Sequence, residues 1–282
     1  MARKRVLHEF LDEDVGRGDI TSEAVVPRGQ RGRGQVMAKE DCVVAGLEEA
    51  GDLFRELGLE FSAQAKDGSE VKSGQIVAVV EGKARSILKG ERVALNIIQR
   101  MSGIATMTRR LVDAGRRANS RLIVAATRKT TPGFRAFEKR AVALGGGDPH
   151  RFALDDMVLI KDNHAALAGG VASAVKRAQA ARGGALSFTK KIEVEASTVE
   201  EALEAARLGA DIIMLDNFPL PALRRAYQAL KERHPKVLVE VSGNISQENL
   251  AKVAPFADIV SVGALTHSAP ACDFSLKVQP IK

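Results

Sequence analysis

The stretch "KIEVEASTVEEALEAARLGADIIMLDN" (191–217) contains one complete strand–helix–strand unit. Residues 191–197 and 211–217 are short runs rich in β-formers, whereas residues 199–209 carry apolar side chains at helical spacing and end on Gly209. A helix with short connections on both sides is typical of a parallel βαβ unit. We therefore predict an α/β fold with parallel strands for this part of the chain.

The same rhythm continues on both sides of this unit. Strands are predicted at 121–127, 157–163, 237–243 and 258–266, and helices at 134–145, 166–182, 220–234 and 246–256. Both an open doubly wound sheet and an α/β barrel have this order of elements. Polar side chains follow every strand at its carboxyl end, and a barrel gathers all of these ends around one mouth. The pattern therefore favours a barrel.

The first third of the chain has a different organisation. Short strands are predicted within 34–47 and 70–88, with a helix at 48–58 between them. We therefore expect a small α+β domain with an open sheet. Residues 90–118 keep an apolar stripe at helical spacing and are predicted to be mostly helical, although Gly103 could interrupt the helix.

Composition narrows the classes of ligand. The formal net charge is +7, which attracts anions, but aromatic residues make up only 4%, so platforms for stacking nucleic-acid bases are scarce. No apolar run approaches the ~20 residues of a membrane helix, and the basic N-terminus lacks the apolar region of a secretory signal. Cys42 and Cys272 lack metal-site spacing and read as structural thiols. We expect a cytoplasmic protein that binds small anions, with no nucleic-acid or membrane partner.

The stretch "TRKTTPGFRAFEKRAVALGGGDPHR" (127–151) concentrates positive charge. Arg128 and Lys129 follow a predicted strand, where a guanidinium fork and an ammonium group suit carboxylate or phosphate. His150 and Arg151 follow a run of three glycines, which lets the backbone turn sharply or approach a ligand. We interpret the remaining cations as a solvated helix face, namely Arg135, Lys139 and Arg140.

Acidic residues follow the neighbouring strands. Strand alternation places Glu193 and Glu195 on one face, and Asp216 ends the next strand. Carboxylates near a barrel axis are costly to bury unless they meet cations or a metal, and acids among cations suit Mg²⁺ bound together with substrate phosphates. A structural network of salt bridges is the alternative. The loops 241–245 and 261–268 carry small residues that can donate backbone N–H groups to a phosphate.

Nine segments in chain order resemble the quinolinate phosphoribosyltransferase family. They are "EDVGRGDIT" (13–21), "GERVALNIIQRMSGIAT" (90–106), "TRKTTPGFRAFEKRAVALGGG" (127–147), "HRF" (150–152), "VLIKDNH" (158–164), "EVE" (193–195), "ADIIMLDNF" (210–218), "VSGNI" (241–245) and "SVGALTHS" (261–268). The resemblance implies an incomplete α/β barrel of about six parallel strands plus an N-terminal α+β open sandwich. On this basis we expect a sandwich domain at 1–115, joined by 269–282, and a barrel domain at 116–268.

The resemblance also implies an activity. The family converts quinolinate and phosphoribosyl pyrophosphate into nicotinate mononucleotide, pyrophosphate and CO₂ with Mg²⁺, on the way to NAD. It implies a homodimer, or a higher oligomer, with shared active sites. Loss of the 2-carboxylate would follow glycosyl transfer, because the N-alkylated pyridinium can accept the electrons.

The resemblance assigns roles to individual residues. Arg128, His150 and Arg151 match positions that hold quinolinate, and Thr127 belongs to the same substrate-binding segment. Lys129 and Lys161 match the junction of quinolinate and pyrophosphate, and Arg92 matches an arginine contributed by the neighbouring subunit. Glu195 and Asp216 match the acids near Mg²⁺ and the ribose. The phosphate-binding end is matched by Ser242, Gly243, Gly263 and His267. Four residues are expected to be catalytic: Lys129, Lys161, Glu195 and Asp216.

Three positions depart from the family pattern near the acceptor. Ala126 stands where the family usually has Asp, Pro149 where it has Asn, and Ala153 where it has Gly. Three alternatives stay open: a related transferase acting on nicotinate or another aromatic acid, the paralogue linked to molybdenum transport, and a non-catalytic ligand-binding homologue. The intact Lys129, Lys161, Glu195 and Asp216 argue against the last, and the "KDNH" and "GGG…HR" pieces argue against the molybdenum-linked paralogue.

Overall fold

The computed structural model describes the backbone of residues 2–282 and the side chains of residues 5–282. The chain forms two compact units: Met1–Arg109 with Thr131–Gly146 and Thr266–Lys282, and Arg110–Thr130 with Gly147–Leu265. These units are defined by which residues pack together, and they do not test domain boundaries. The predicted boundaries, 1–115 with 269–282 and 116–268, therefore stay predictions.

Helices and strands follow one another along the whole described chain. The helices are α1 (Ala2–Val15), α2 (Ile20–Val25), α3 (Leu47–Glu56), α4 (Ala84–Ala118), α5 (Arg135–Leu144), α6 (Asp162–Ala168), α7 (Val171–Ala181), α8 (Val199–Arg207), α9 (Leu220–Arg233), α10 (Gln247–Val253) and α11 (Ala264–His267). The strands are β1 (Arg31–Ala38), β2 (Cys42–Val43), β3 (Glu60–Ala63), β4 (Glu70–Val71), β5 (Ile76–Lys83), β6 (Ile123–Ala125), β7 (Val158–Ile160), β8 (Ile192–Ala196), β9 (Ile212–Asp216), β10 (Leu238–Ser242), β11 (Ile259–Ser261) and β12 (Phe274–Ile281).

The first unit contains a four-stranded sheet in the order β12-β1-β5-β3 and a small two-stranded sheet, β2-β4. All of their pairings are antiparallel. The last strand, β12, pairs with β1 along its whole length, from Arg31 opposite Ile281 to Ala38 opposite Phe274. The same unit contains the helix α3 and part of α4, both of which bury apolar side chains. Helices together with antiparallel strands confirm the predicted α+β class of this part.

The second unit contains six parallel strands in the order β6-β11-β10-β9-β8-β7. Sequence neighbours β7 to β11 are spatial neighbours, and the first strand, β6, lies beside the last, β11. An open doubly wound sheet does not join its first and last strands, whereas a barrel does. Since β6 and β7 are not paired with each other, the barrel is incomplete, as predicted.

Three details of the predicted elements are wrong. Residues 84–88 start the long helix α4 instead of ending a strand, and Gly103 does not interrupt that helix. A Cβ at Gly103 would lie 1.9 Å from the carbonyl oxygen of Pro270, so this glycine serves close backbone approach. The predicted helix 166–182 is two helices, α6 and α7, because Gly169 and Gly170 adopt φ values of +85° and +108°.

The charged face predicted on α5 is also different. Lys139 is 3% exposed, and Arg140 forms ion pairs with Glu48, Glu49 and Asp67. These two cations are therefore packed within the first unit instead of lying on a solvated face. Both cysteines are free and buried, consistent with structural thiols.

Among the described residues, no helix combines the length and apolar character that crossing a bilayer requires. The longest, α4, has charged side chains distributed along its 35 residues.

Candidate active site

A cavity of about 640 Å³ opens at the carboxyl ends of the parallel strands in the second unit. Residues at or just after the end of every strand line it, so all six strands converge on one space. The lining residues are Ala126, Thr127, Arg128, Lys129, His150, Arg151, Leu159, Lys161, Asp162, Glu195, Met214, Asp216, Asn217, Glu240, Ser242, Gly243, Asn244 and Ser261. This is the barrel mouth that the placement of polar residues predicted.

Cations that follow β6 occupy one side of this cavity. The Nε of Arg128 is buried and has no hydrogen-bond partner among the described residues. The pKa of Arg151 is lowered because burial disfavours its guanidinium and Arg128 repels it, although Glu193 and Asp156 partly offset this. Two arginines that repel each other in a partly buried site favour binding of an anion between them.

Lys161, Glu195 and Asp216 follow or end three neighbouring strands. Lys161 comes directly after β7, and its Nζ lies 3.2 Å from Oε2 of Glu195 on β8. Asp216 ends β9, where its Oδ2 accepts a hydrogen bond of 2.6 Å from the Asn217 side chain. The Glu195 side chain lines the cavity although it is only 13% exposed.

These two carboxylates suit a divalent cation by the chemistry of their donors. Glu195 and Asp216 offer hard oxygen ligands on adjacent paired strands, β8 and β9, and both line the cavity. Mg²⁺ is commonly held by one or two carboxylates together with substrate phosphates. The residues present therefore fit this ion.

The loop after β10 brings backbone to the cavity. Gly243 has φ +94°, and a Cβ there would lie 2.2 Å from Oδ1 of Asn217, so only glycine is accommodated. Asn217 and Asn244 also adopt positive φ, at +54° and +51°. This tight turn beside Ser242, in which Gly243 has no side chain, is suited to a phosphate, which backbone N–H groups can approach closely.

A buried cluster forms part of the cavity's inner wall. His150 Nε2 lies 3.4 Å from Oε2 of Glu193 and 3.3 Å from Oε2 of Glu240. Both carboxylates are 0% exposed, and His150 is 12% exposed. Burial alone would lower the pKa of His150, but the two carboxylates outweigh it and raise the value to about 10. The two acids therefore favour the imidazolium form of His150 at neutral pH.

Ten of the thirteen predicted site residues line the cavity together: Thr127, Arg128, Lys129, His150, Arg151, Lys161, Glu195, Asp216, Ser242 and Gly243. Arg92 and His267 are exposed residues of the first unit, and Gly263 belongs to the second unit without lining the cavity. Glu193 points toward the same interior but contacts His150. The expected group of metal ligands, Glu193 with Glu195 and Asp216, is not found, because Glu193 instead groups with His150 and Glu240.

Sequence reasoning missed Met214 and Glu240 as lining residues, and it included Asn244 and Ser261 only as members of the loops 241–245 and 261–268. Glu240 had a readable signal, because an acid two positions before Ser242 in an otherwise apolar strand shares the face of Ser242. The positive φ of Asn217 and Asn244 could not be read from the sequence, because it arises from the loop geometry.

The geometry agrees with comparisons to known proteins. The family model described as quinolinate phosphoribosyl transferase, N-terminal domain, matches residues 19–102, and the corresponding C-terminal domain matches residues 104–277. A probable nicotinate-nucleotide pyrophosphorylase [carboxylating] from Archaeoglobus fulgidus is 48% identical over 86% of this chain and 93% of its own length. The human nicotinate-nucleotide pyrophosphorylase [carboxylating] is 43% identical over 97% of this chain and 90% of its own length.

A crystal structure of NadC from Streptococcus pyogenes superposes with a TM-score of 0.90 at 39% identity, covering 100% of this chain and 98% of that one. Both family models, the relatives and the shared fold lead to one conclusion: the chain belongs to the quinolinate phosphoribosyl transferase family.

Proposed function

We propose that this protein transfers the phosphoribosyl group of phosphoribosyl pyrophosphate to quinolinate and releases pyrophosphate and CO₂, yielding nicotinate mononucleotide for NAD biosynthesis. The observation that carries the proposal is one cavity whose lining provides both a set of cations and a pair of carboxylates. Arg128, His150 and Arg151 supply positive charge, whereas Glu195 and Asp216 supply carboxylates. Quinolinate is a dicarboxylate, and the donor is a polyphosphorylated ribose.

The cationic side is suited to the acceptor. Three groups that carry charge or N–H donors converge there, enough to pair with two adjacent carboxylates. Positioning both substrates in one enclosed space brings the pyridine nitrogen to the anomeric carbon of the ribose and supplies much of the rate enhancement.

The bond changes then follow from the substrates. The pyridine nitrogen forms a bond to the anomeric carbon, while the bond from that carbon to pyrophosphate breaks and pyrophosphate leaves with the electron pair. Lys129 and Lys161 stabilise the charge that develops on pyrophosphate, and Glu195 and Asp216 stabilise the positive charge of the ribose. The bond between ring carbon and 2-carboxylate then breaks, CO₂ departs, and the ring carbon takes a proton.

Mg²⁺ is part of this proposal. Glu195 and Asp216 would hold it, with substrate oxygens or water completing its coordination. When bound, it neutralises part of the charge of the pyrophosphate group.

A homodimer with shared active sites, or a higher oligomer built from it, is also proposed. Arg92 is an exposed cation on α4, beside the buried Val93, Ala94 and Leu95. It supports the proposal because it is a family-matched substrate residue that lies outside the unit that contains the cavity. In this proposal Arg92 completes the site of the neighbouring subunit.

The direct test is product formation. Purified protein is incubated with quinolinate, phosphoribosyl pyrophosphate and Mg²⁺, and nicotinate mononucleotide and CO₂ are measured. We expect equal amounts of both products. Absence of product with quinolinate, under conditions where the protein is folded, would overturn the proposed function.

A further inference from the structure

The His150–Glu193–Glu240 cluster contains two buried acids, although a site for a substrate anion needs only positive charge and hydrogen-bond donors. Glu193 lies on β8 and Glu240 on β10, which are separated by β9, and both side chains turn into the barrel interior. None of their four carboxylate oxygens has a hydrogen bond of normal geometry among the described residues. Because buried carboxylates are costly without a cationic partner, such a pair requires an explanation.

His150 is the cation that the two acids share. Its Nε2 is itself buried and lies within 3.5 Å of both acids, at 3.4 Å and 3.3 Å. Burial and the neighbouring Glu240 raise the pKa of Glu193, and His150 and Arg151 partly offset this shift by favouring its ionised form. Arg128 acts on Arg151. Nε2 therefore faces the two acids, while His150 as a residue lines the cavity.

The backbone supports the same orientation. His150 adopts φ +54°, which is uncommon for a residue other than glycine, and its N–H donates to Oδ1 of Asp148 over 2.6 Å. A strained backbone conformation persists where the surroundings determine it, and such sites are often functional.

The charge state of the ring decides what it can bind. A neutral imidazole has one N–H and one acceptor nitrogen, and an acceptor facing a substrate carboxylate would repel it. An imidazolium donates from both nitrogens. Because the buried Nε2 faces the two acids at 3.4 Å and 3.3 Å, Nδ1–H is the donor that remains for a ligand.

We propose that Glu193 and Glu240 are positioning residues that keep His150 doubly protonated and oriented, so that Nδ1–H donates to a carboxylate of the acceptor. The inference rests on the proposed function, since it explains how that site selects a carboxylate-bearing ring. The two glutamates do not contact substrate in this role. They act through His150, and Glu193 also acts electrostatically on Arg151.

The first test measures binding by calorimetry at pH 8, for quinolinate and separately for phosphoribosyl pyrophosphate. Glu193→Gln, Glu240→Gln and their double variant preserve side-chain shape. We expect the Kd for quinolinate to rise about 10- to 100-fold, the range for losing a hydrogen bond to a charged group. The Kd for phosphoribosyl pyrophosphate should stay within about threefold. Glu49→Gln is the matched control, because Glu49 is a buried acid (1% exposed) that pairs with Arg140 and does not line the cavity.

A double-mutant cycle separates positioning from general structure. In a His150→Ala background, the glutamate substitutions should cause no further loss of quinolinate affinity, because the residue through which they act is absent. A loss as large as in the wild-type background would overturn the proposal.

Imidazole ¹⁵N–¹H spectra provide a readout independent of substrate. The chain has five histidines, so the His150 resonances can be assigned by comparison with His150→Gln. We expect a doubly protonated His150 at pH 8 in the wild type and a neutral ring in the double variant. A neutral ring in the wild type, or a shift of the His150 signals on adding Zn²⁺ to Glu195→Ala protein, would overturn the proposal, the latter in favour of a metal site.

Failure of the proposed function has a different signature. In that case wild-type protein binds no quinolinate and forms no nicotinate mononucleotide, whatever the spectra show. If wild-type protein is active and the glutamate variants match it in quinolinate affinity, only the positioning role is overturned.

Discussion

Lys161 Nζ lies 3.2 Å from Oε2 of Glu195, across the neighbouring strands β7 and β8. The lysine side chain is 48% exposed and the glutamate side chain 13% exposed, so the pair links an exposed cation to a largely buried acid. A cation proposed to stabilise pyrophosphate and an acid proposed to hold Mg²⁺ therefore contact each other.

Substituting Glu195 should impair turnover far more than acceptor binding. Glu195→Ala removes one of the two acids proposed to hold Mg²⁺, so we expect kcat to fall roughly 100-fold or more, with quinolinate Kd nearly unchanged. Steady-state rates with varied Mg²⁺ and binding calorimetry measure the two effects. Glu200→Ala, an exposed acid on α8 away from the cavity, is the control. Full activity of Glu195→Ala in excess chelator would contradict metal-assisted transfer.

Mixed dimers should regain activity that neither parent has. We expect Arg92→Ala and Lys161→Ala to be inactive separately, because each lacks a substrate-binding cation. After subunit exchange, some sites in a mixed dimer receive an intact residue at both positions, so part of the activity should return. Differently tagged subunits allow the mixed species to be isolated and assayed. No recovery in an isolated mixed dimer would rule out a shared site.

Quinolinate should be strongly preferred over nicotinate. Arg128, His150 and Arg151 are arranged around one cavity, and nicotinate lacks the carboxylate that would complete their pairing. Leaving a buried cation unpaired costs several kcal/mol, so we expect kcat/KM to differ by roughly a thousandfold. The ratio is measured with the donor saturating. Equal values would reassign the acceptor and leave the transferase class intact.

The pH dependence of acceptor binding should reflect His150. Its pKa is raised to about 10, so the imidazolium persists well above the ordinary value near 6.5. Quinolinate affinity should therefore stay nearly constant from about pH 7 to 9 and fall only as pH approaches 10. In Glu240→Gln the fall should move to lower pH, because one of the two acids that outweigh burial is gone. The same ionisation stabilises the fold below about pH 6.5, and this contribution is lost as pH rises through about 10.

Gly103→Ala should destabilise the first unit. A Cβ at this position would lie 1.9 Å from the Pro270 carbonyl oxygen and 3.0 Å from Ala271 Cα, both of which are backbone atoms. Backbone must shift to relieve this overlap, so we expect a loss of about 3 kcal/mol and a lower Tm. Gly29→Ala, where a Cβ would meet no atom within 4 Å, should be close to neutral in the same thermal denaturation experiment. An unchanged Tm for Gly103→Ala would contradict the close packing seen here.

The periodicity of the sequence determined the kinds of element and their order. The alternation of residues 191–197, the helical spacing of 199–209 and the apolar run 211–217 correspond to β8, α8 and β9. Such patterns are local, since a strand or helix repeats over a few residues. The same local reading was wrong at residues 84–88 and at Gly169-Gly170, where packing and positive φ override propensity.

Ten of the residues that line the cavity were also predictable, because parallel strands end at one edge and the family motifs lie at those ends. What only the tertiary structure decided is which of these residues become partners. Glu193 and Glu195 share one strand face in the sequence, yet Glu193 meets His150 and Glu240, while Glu195 meets Lys161. The physical reason is position along the strand: Glu193 lies two residues further from the carboxyl end of β8 than Glu195, so it is buried deeper and its charge must be compensated inside the barrel.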